Sequence, residues 1–172
     1  MFNIAENAKV VNVMSPVDFS GGALTTEWIS MKGATKATFL VHLGVLHASA
    51  DSMAVTLNVA NDASGTKSAT AAASMDLDFP YYYKSGAAPS DTFTKTTVSS
   101  STFTIASTDD GRILAIEVPA EKMGTFSSSS TTYNADYVRL AIAAPGNSAL
   151  AGVMCILTGL RYQGDAPPTA IT

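Results

Sequence analysis

The chain has 172 residues, of which 10 are Lys or Arg and 14 are Asp or Glu, giving a formal net charge of −4. This length suits one domain, which on folding buries roughly 70% of the surface its unfolded chain exposes, enough for a core that needs no staples. Charged residues are 14% of the chain against about 25% in an average soluble domain, and the acidic balance excludes a protein that tracks nucleic-acid phosphates, which needs a basic stripe.

The opening MFNIAENAKV has neither the basic start nor the apolar run of a signal peptide, and no apolar run in the chain reaches the ~20 residues of a membrane span. The expectation is synthesis and folding in a reducing cytoplasm with no membrane partner. Residues 1–20 read as an amino-terminal arm. Trp28, in TTEWISM, reads as core or interface filling. Lys36 to Leu46 is an apolar run rich in β-formers, and Met53 to Val59 alternates strictly; with HASADS as a loop between them they predict a hairpin.

Thr66 to Ser74 has the best helix propensity in the chain but no useful apolar face, so a short helix and a loop are both open. Further strands are predicted at Met75–Tyr83, Phe93–Val98, Thr102–Ile105, Arg112–Val118, Tyr137–Ala143 and Val153–Tyr162. Turn formers separate them in NDASGT, KSGAAPSD, STDDGR and APGNSA. The tract Phe126–Thr132 (FSSSSTT) offers nothing to bury and reads as a flexible loop. Residues 164–172 (GDAPPTAIT) read as a tail, since each Pro removes a ladder donor. Many short strands with regular breaks predict an all-β protein, a jelly roll or related β-sandwich in one domain spanning 1–172.

Chemistry-bearing residues are sparse. Cys155 is the lone cysteine, which excludes an intrachain disulfide and a cysteine zinc site, and its setting in VMCILTG marks a small buried hydrophobe. His42 and His47 flank a strand end and do not share a face suited to a metal. Asp76 with Asp78 alternates as a solvated strand face does. Asp109 and Asp110 precede Gly111 in a turn, and neither pair has the spaced oxygens of a calcium loop. No phosphate-cradling loop or nucleophile elbow occurs. The reading is a protein with no catalytic residues, cofactor or metal.

A surface of Ser, Thr, Ala, Asn and Gly carries little like-charge repulsion and accepts burial against another protein. The candidate contacts are Phe2, Ile4 and Val10 near the amino terminus, the tail from Asp165 to Ile171, and Tyr81 and Tyr83 of the PYYY group as interface anchors. Arg139 and Arg161 lie in apolar strands, where a guanidinium needs a partner. Glu117 and Asp136 are the acids considered for it, within the chain or across a subunit boundary.

The phrases EWISMKGATKATFLVHLG and ADYVRLAIAAPGNSALAGVMCILTGLRYQGDAPP order a Trp-bearing strand, a KG turn, an apolar strand, and later a YVR strand, a PG turn and a closing GxRY strand. In this the chain resembles the small auxiliary head proteins of tailed bacteriophages, the decoration or cement proteins, over about a third of its length. The resemblance implies a jelly-roll or related sandwich that binds the major capsid protein on the outer face of an assembled head, commonly as a homotrimer, and so sits on the virion exterior. Two other classes stand beside it. One is a carbohydrate- or receptor-binding module using Tyr81 to Tyr83. The other is an enzyme, which requires convergence of two among Asp76, Asp78, Asp109, Asp110, Glu117 and Glu121.

Overall fold

A computed structural model of the chain describes residues 4–49, 52–70, 79–83, 93–98 and 102–160. A single helical turn, α1 (Ile4–Asn7), leads into β1 (Ala8–Asp18). There follow β2 (Leu24–Thr25), β3 (Ile29–Ser30), β4 (Lys36–Leu46), β5 (Met53–Ala60), β6 (Ser68–Thr70), β7 (Phe79–Tyr83), β8 (Thr94–Val98) and β9 (Thr102–Ile105). The last five are β10 (Ile113–Pro119), β11 (Thr125–Ser128), β12 (Thr131–Asn134), β13 (Tyr137–Ile142) and β14 (Ala149–Thr158).

The strands form two main antiparallel sheets. One has the order β1-β14-β4-β10-β7-β8, and the other β2-β13-β5-β6, with β3 also on β13 and β9 also on β5. The four strands β1, β14, β4 and β10 therefore oppose a second layer of β2/β3, β13, β5 and β9. Following the chain, every step among these crosses from one sheet to the other except β5 to β9. That path is two interlocked Greek keys, the jelly roll. The pair β7–β8 widens the first sheet beyond β10, and β11–β12 form a separate hairpin between β10 and β13.

Alternation places the core. Met53, Val55, Leu57 and Val59 of β5 and Val138, Leu140 and Ile142 of β13 face Ala37, Phe39, Val41 and Leu43 of β4 and Leu114, Ile116 and Val118 of β10. All belong to one buried cluster. Removing each large side chain from water stabilises the fold by ~1.5–3 kcal/mol, which is why the inner rows are filled by Val, Leu, Ile and Phe. Cys155 is buried in this layer, and desolvation pushes its thiol up to about 12.

Four expectations change. The arm drawn over residues 1–20 contains β1, which pairs with β14 from Ala8 to Asp18 and buries Val11 and Val13. Register shifts on either side of Met14, together with Pro16, blunt this edge strand against further pairing. Next, β4 and β5 are not a hairpin. Both edges of β4 are taken by β14 and β10, so β5 has to start the opposite sheet. The Ser/Thr tract is the hairpin β11–β12, held by Phe126, buried and stacked on Tyr133 at a centroid distance of 5.8 Å. Its turn is made by Ser129 and Ser130 at φ 51° and 64°. Within Thr66–Ser74, Ser68–Thr70 form β6 against Asn58–Ala60.

Candidate functional site

The outer face of the first sheet is built from the residues of β1, β14, β4 and β10 that alternate with the core. Aligned partners make three cross-strand rows: Val10–Ile156–Thr38–Glu117, Asn12–Met154–Leu40–Ala115, and Gly152–His42–Ile113. Val10 and Met154 are 52% and 47% exposed, with Leu40, Ile156, Ala115 and Ile113 half-buried beside them. Among the described residues seven large hydrophobics are exposed, and five of them, Val10, Val17, Val45, Leu150 and Met154, lie on β1, β4 and β14. Ile4 precedes the same sheet at β1 and Phe93 at β8, while the second sheet has none among the described residues. The asymmetry is what separates this patch from the scattered apolar residues of any surface.

Charge on this face is self-compensated. Lys36 Nζ lies 2.7 Å from Glu117 Oε1. His42 is exposed at the centre, beside Gly152, where a Cβ would press on Pro16. The four central strands span about 20 Å across and about 25 Å along, or roughly 500 Å² of nearly uncharged surface.

The outer face of the second sheet differs. Thr25 aligns with Ala141 but Ile29 with Val138, so the β2–β3 edge carries one residue more than β13 between the two pairings. The surplus is a bulge. Thr26 repairs the ladder there, its N–H donating to Leu140 O at 2.9 Å and its Oγ1 accepting from Leu140 N at 3.0 Å. The bulge turns Trp28 onto the outer side although Ile29 next to it is in the core. Arg139 of β13 stacks on Trp28 with its guanidinium carbon 4.3 Å from the ring centroid. The loop 61–67 closes over the same ring through Gly65, at φ 65°, where any Cβ would clash with the indole.

Burial lowers the Arg139 pKa, and its Nε is buried without a hydrogen-bond partner. The two acids considered for it are engaged elsewhere, Glu117 with Lys36 and Asp136 with Lys32 at 3.2 Å. Lys32 Nζ also sits 5.7 Å from the Tyr137 ring centroid.

Ile4 and Val10 are exposed beside and on the first sheet. Tyr81 and Tyr83 occupy β7 in register with Ile116 and Leu114; their side chains, and the whole of Phe2, Arg161 and the tail from Asp165 to Ile171, lie outside the described residues, as do Asp76 and Asp78. Asp109 braces its own turn, and Asp110 ties that turn to the end of β4. Asp109 accepts from Arg112 Nη1 at 2.6 Å and from Ala106 N at 2.8 Å, and Asp110 accepts from Leu46 N at 2.6 Å. Gly111 supplies the positive φ, 65°. His47 Nδ1 accepts from Ser49 N. Among the described residues no three His, Cys, Asp or Glu side chains converge on a metal position, and no helix is long and apolar enough to cross a membrane.

The bulge at 26–28 and the role of Gly65 escape sequence reading, because both depend on pairings between distant segments.

No protein-family profile and no curated protein matches the chain. Among solved structures it is similar to the SPBc2 prophage-derived protein YomS at 7% identity and a TM-score of 0.42, over 88% of this chain and 92% of that one. It is also similar to the Gt strain structure of infectious bursal disease virus, at 10% identity and a TM-score of 0.25 over 88% of this chain and 40% of that one. The Gx strain structure of that virus gives 9% identity and a TM-score of 0.26 over 87% of this chain and 39% of that one. The jelly roll rests on strand order, independently of these likenesses.

Proposed function

We propose that the protein is a non-enzymatic virion structural protein that binds the major capsid protein on the outer surface of a phage head through the outer face of its first sheet, acting as a homotrimer. The observation that carries this reading is the confinement, among the described residues, of exposed large hydrophobics to one sheet of the sandwich and its flanks. Pairing of Lys36 with Glu117 lowers the cost of desolvating the charges on that face. The resemblance of the Trp-bearing and closing strands to auxiliary head proteins points the same way.

The size of the face accounts for the oligomer. A standard interface takes about 800 Å² from each partner, and the ~500 Å² of the four central strands falls short of it. One copy would therefore hold weakly. Joining copies makes the later contacts intramolecular and raises avidity by about 10²–10⁴.

The test mixes the purified chain with heads assembled from the major capsid protein of its own phage and reads the bound copy ratio by sedimentation. The chain is expected to saturate at a fixed ratio, and Met154→Asp together with Val10→Asp to abolish binding while the variant still folds by circular dichroism and melts cooperatively, since both side chains are about half exposed in the free protein. Saturable binding of the double variant at the original ratio would refute this choice of face. Absence of binding by the original chain would refute the function.

A further inference from the structure

Arg139 sits in the middle of β13 on the face opposite the capsid-binding sheet. Its chemistry is unfinished. The guanidinium is partly desolvated, stacked at 4.3 Å on Trp28, with Nε buried and unbonded. No carboxylate among the described residues pairs with it; Asp136 is held by Lys32, and Glu117 lies on the outer face of the other sheet with Lys36. A cation taken partly out of water without a counter-ion is costly, and a ring face repays only part of that cost.

The Trp28 ring covers one side of the guanidinium and leaves its N–H groups as the remaining donors, a fork that matches the two oxygens of a carboxylate. The framework around it is built to hold that ring. The β2–β3 bulge presents Trp28, and Gly65 lets the loop 61–67 press the indole from the other side.

The source of the carboxylate follows from the charge inventory. Acids outnumber bases 14 to 10 in this chain, and Glu27 and Glu121 are exposed and outside every ion pair among the described residues. Another copy of the chain brings the surplus acid that this copy's arginine lacks. We propose that Arg139, backed by Trp28, binds a carboxylate of a second copy of this chain and is the charged anchor of the homo-oligomer. The inference rests on the oligomer in the proposed function and is independent of capsid binding.

Sedimentation equilibrium of the full chain alone tests it, over a range of protein concentrations at about 50 mM and about 500 mM salt, where the screening length falls several-fold. The original chain is expected to associate, less tightly at high salt. Arg139→Leu is expected to weaken association at least tenfold and remove most of the salt dependence, with circular dichroism retained and the monomer still melting cooperatively. Arg139→Lys, which keeps the charge and the fold but loses the planar fork, is expected to fall between the two. Unchanged association and salt slope in both variants would overturn the proposal, as would a monomeric original chain at every concentration. The head-binding assay is read separately, so failure here leaves the capsid reading to its own test.

Discussion

Gly65→Ala is the sharpest probe of how the second face is built. Gly65 has φ 65°, and a Cβ there would meet Nε1, Cε2 and Cζ2 of Trp28 at less than contact distance. Holding an L-residue at that angle costs ~1–2 kcal/mol, of which ~0.4–1 kcal/mol is returned because Ala restricts the unfolded chain. Gly111 has the same φ with nothing within 4 Å of its Cβ position, so Gly111→Ala isolates this backbone part. Gly65→Ala adds the displacement of the indole. That forfeits the Arg139 contact, ~0.5–2 kcal/mol, and re-exposes part of a large apolar ring, ~1–2 kcal/mol. The difference between the two variants should be about 2 kcal/mol, or roughly thirtyfold in the folding equilibrium. Urea unfolding followed by circular dichroism measures it. Trp28 is the chain's single tryptophan, so the emission maximum of the folded protein reports its burial directly and should shift to the red in Gly65→Ala and stay in place in Gly111→Ala. Equal destabilisation by the two variants with identical emission would refute the packing of the loop on Trp28.

Two further outcomes are specific. Ser129 and Ser130 hold positive φ at both central positions of the β11–β12 turn, a conformation that Asn-Gly adopts at lower cost, so Ser129→Asn with Ser130→Gly should raise stability by about 1 kcal/mol in chemical denaturation; a loss would mean that the hairpin turns differently. Ser148 Oγ donates to Asp18, as do the N–H groups of Ser20 and Ala149, and these bonds hold its carboxyl below the ordinary 3.8. A group with a depressed folded pKa contributes stability above its unfolded value, lost as pH falls through the folded one. The urea midpoint of the original chain should therefore drop more steeply than that of Asp18→Asn as the pH is lowered from 3.8, and parallel curves would contradict the assignment.

The parts of this fold legible in the sequence are those set by local alternation. Met53 to Val59 and Tyr137 to Ile142 bury every second residue as their pattern predicts, because side-chain period alone decides which face meets the core. Pairing is different in kind. That β5 opposes β4 across the core depends on β14, more than a hundred residues away, having taken the edge of β4. The hairpin in the Ser/Thr tract hangs on Phe126 meeting Tyr133, one aromatic at each end of a run whose composition alone argues for disorder. At the candidate sites, Arg139 could be singled out as a charge in an apolar strand, and Val10 only as part of an amino-terminal contact segment. The apolar face could not, since Met154, Leu40 and Ala115 come from three separate strands and become neighbours only through register. Nor could the seat of Arg139, which a one-residue surplus in a partner strand creates.

The two outer faces have opposite physical characters, and this makes the roles proposed for them separable in one experiment. Contact through Val10, Met154, Leu40 and Ile156 is apolar, and salts that are excluded from protein surfaces strengthen such burial. The contact proposed for Arg139 is between charges at a partly solvated surface, which the same ions screen. Raising sulfate should accordingly loosen contacts between copies while tightening each copy's hold on the head. Avidity couples the two: at low salt, head binding should depend steeply on protein concentration near the oligomer's dissociation constant, and at high sulfate that steepness should vanish while single copies still bind. If salt moved both equilibria in the same direction, one face would be serving both contacts, and the division of labour between the two sheets would be wrong.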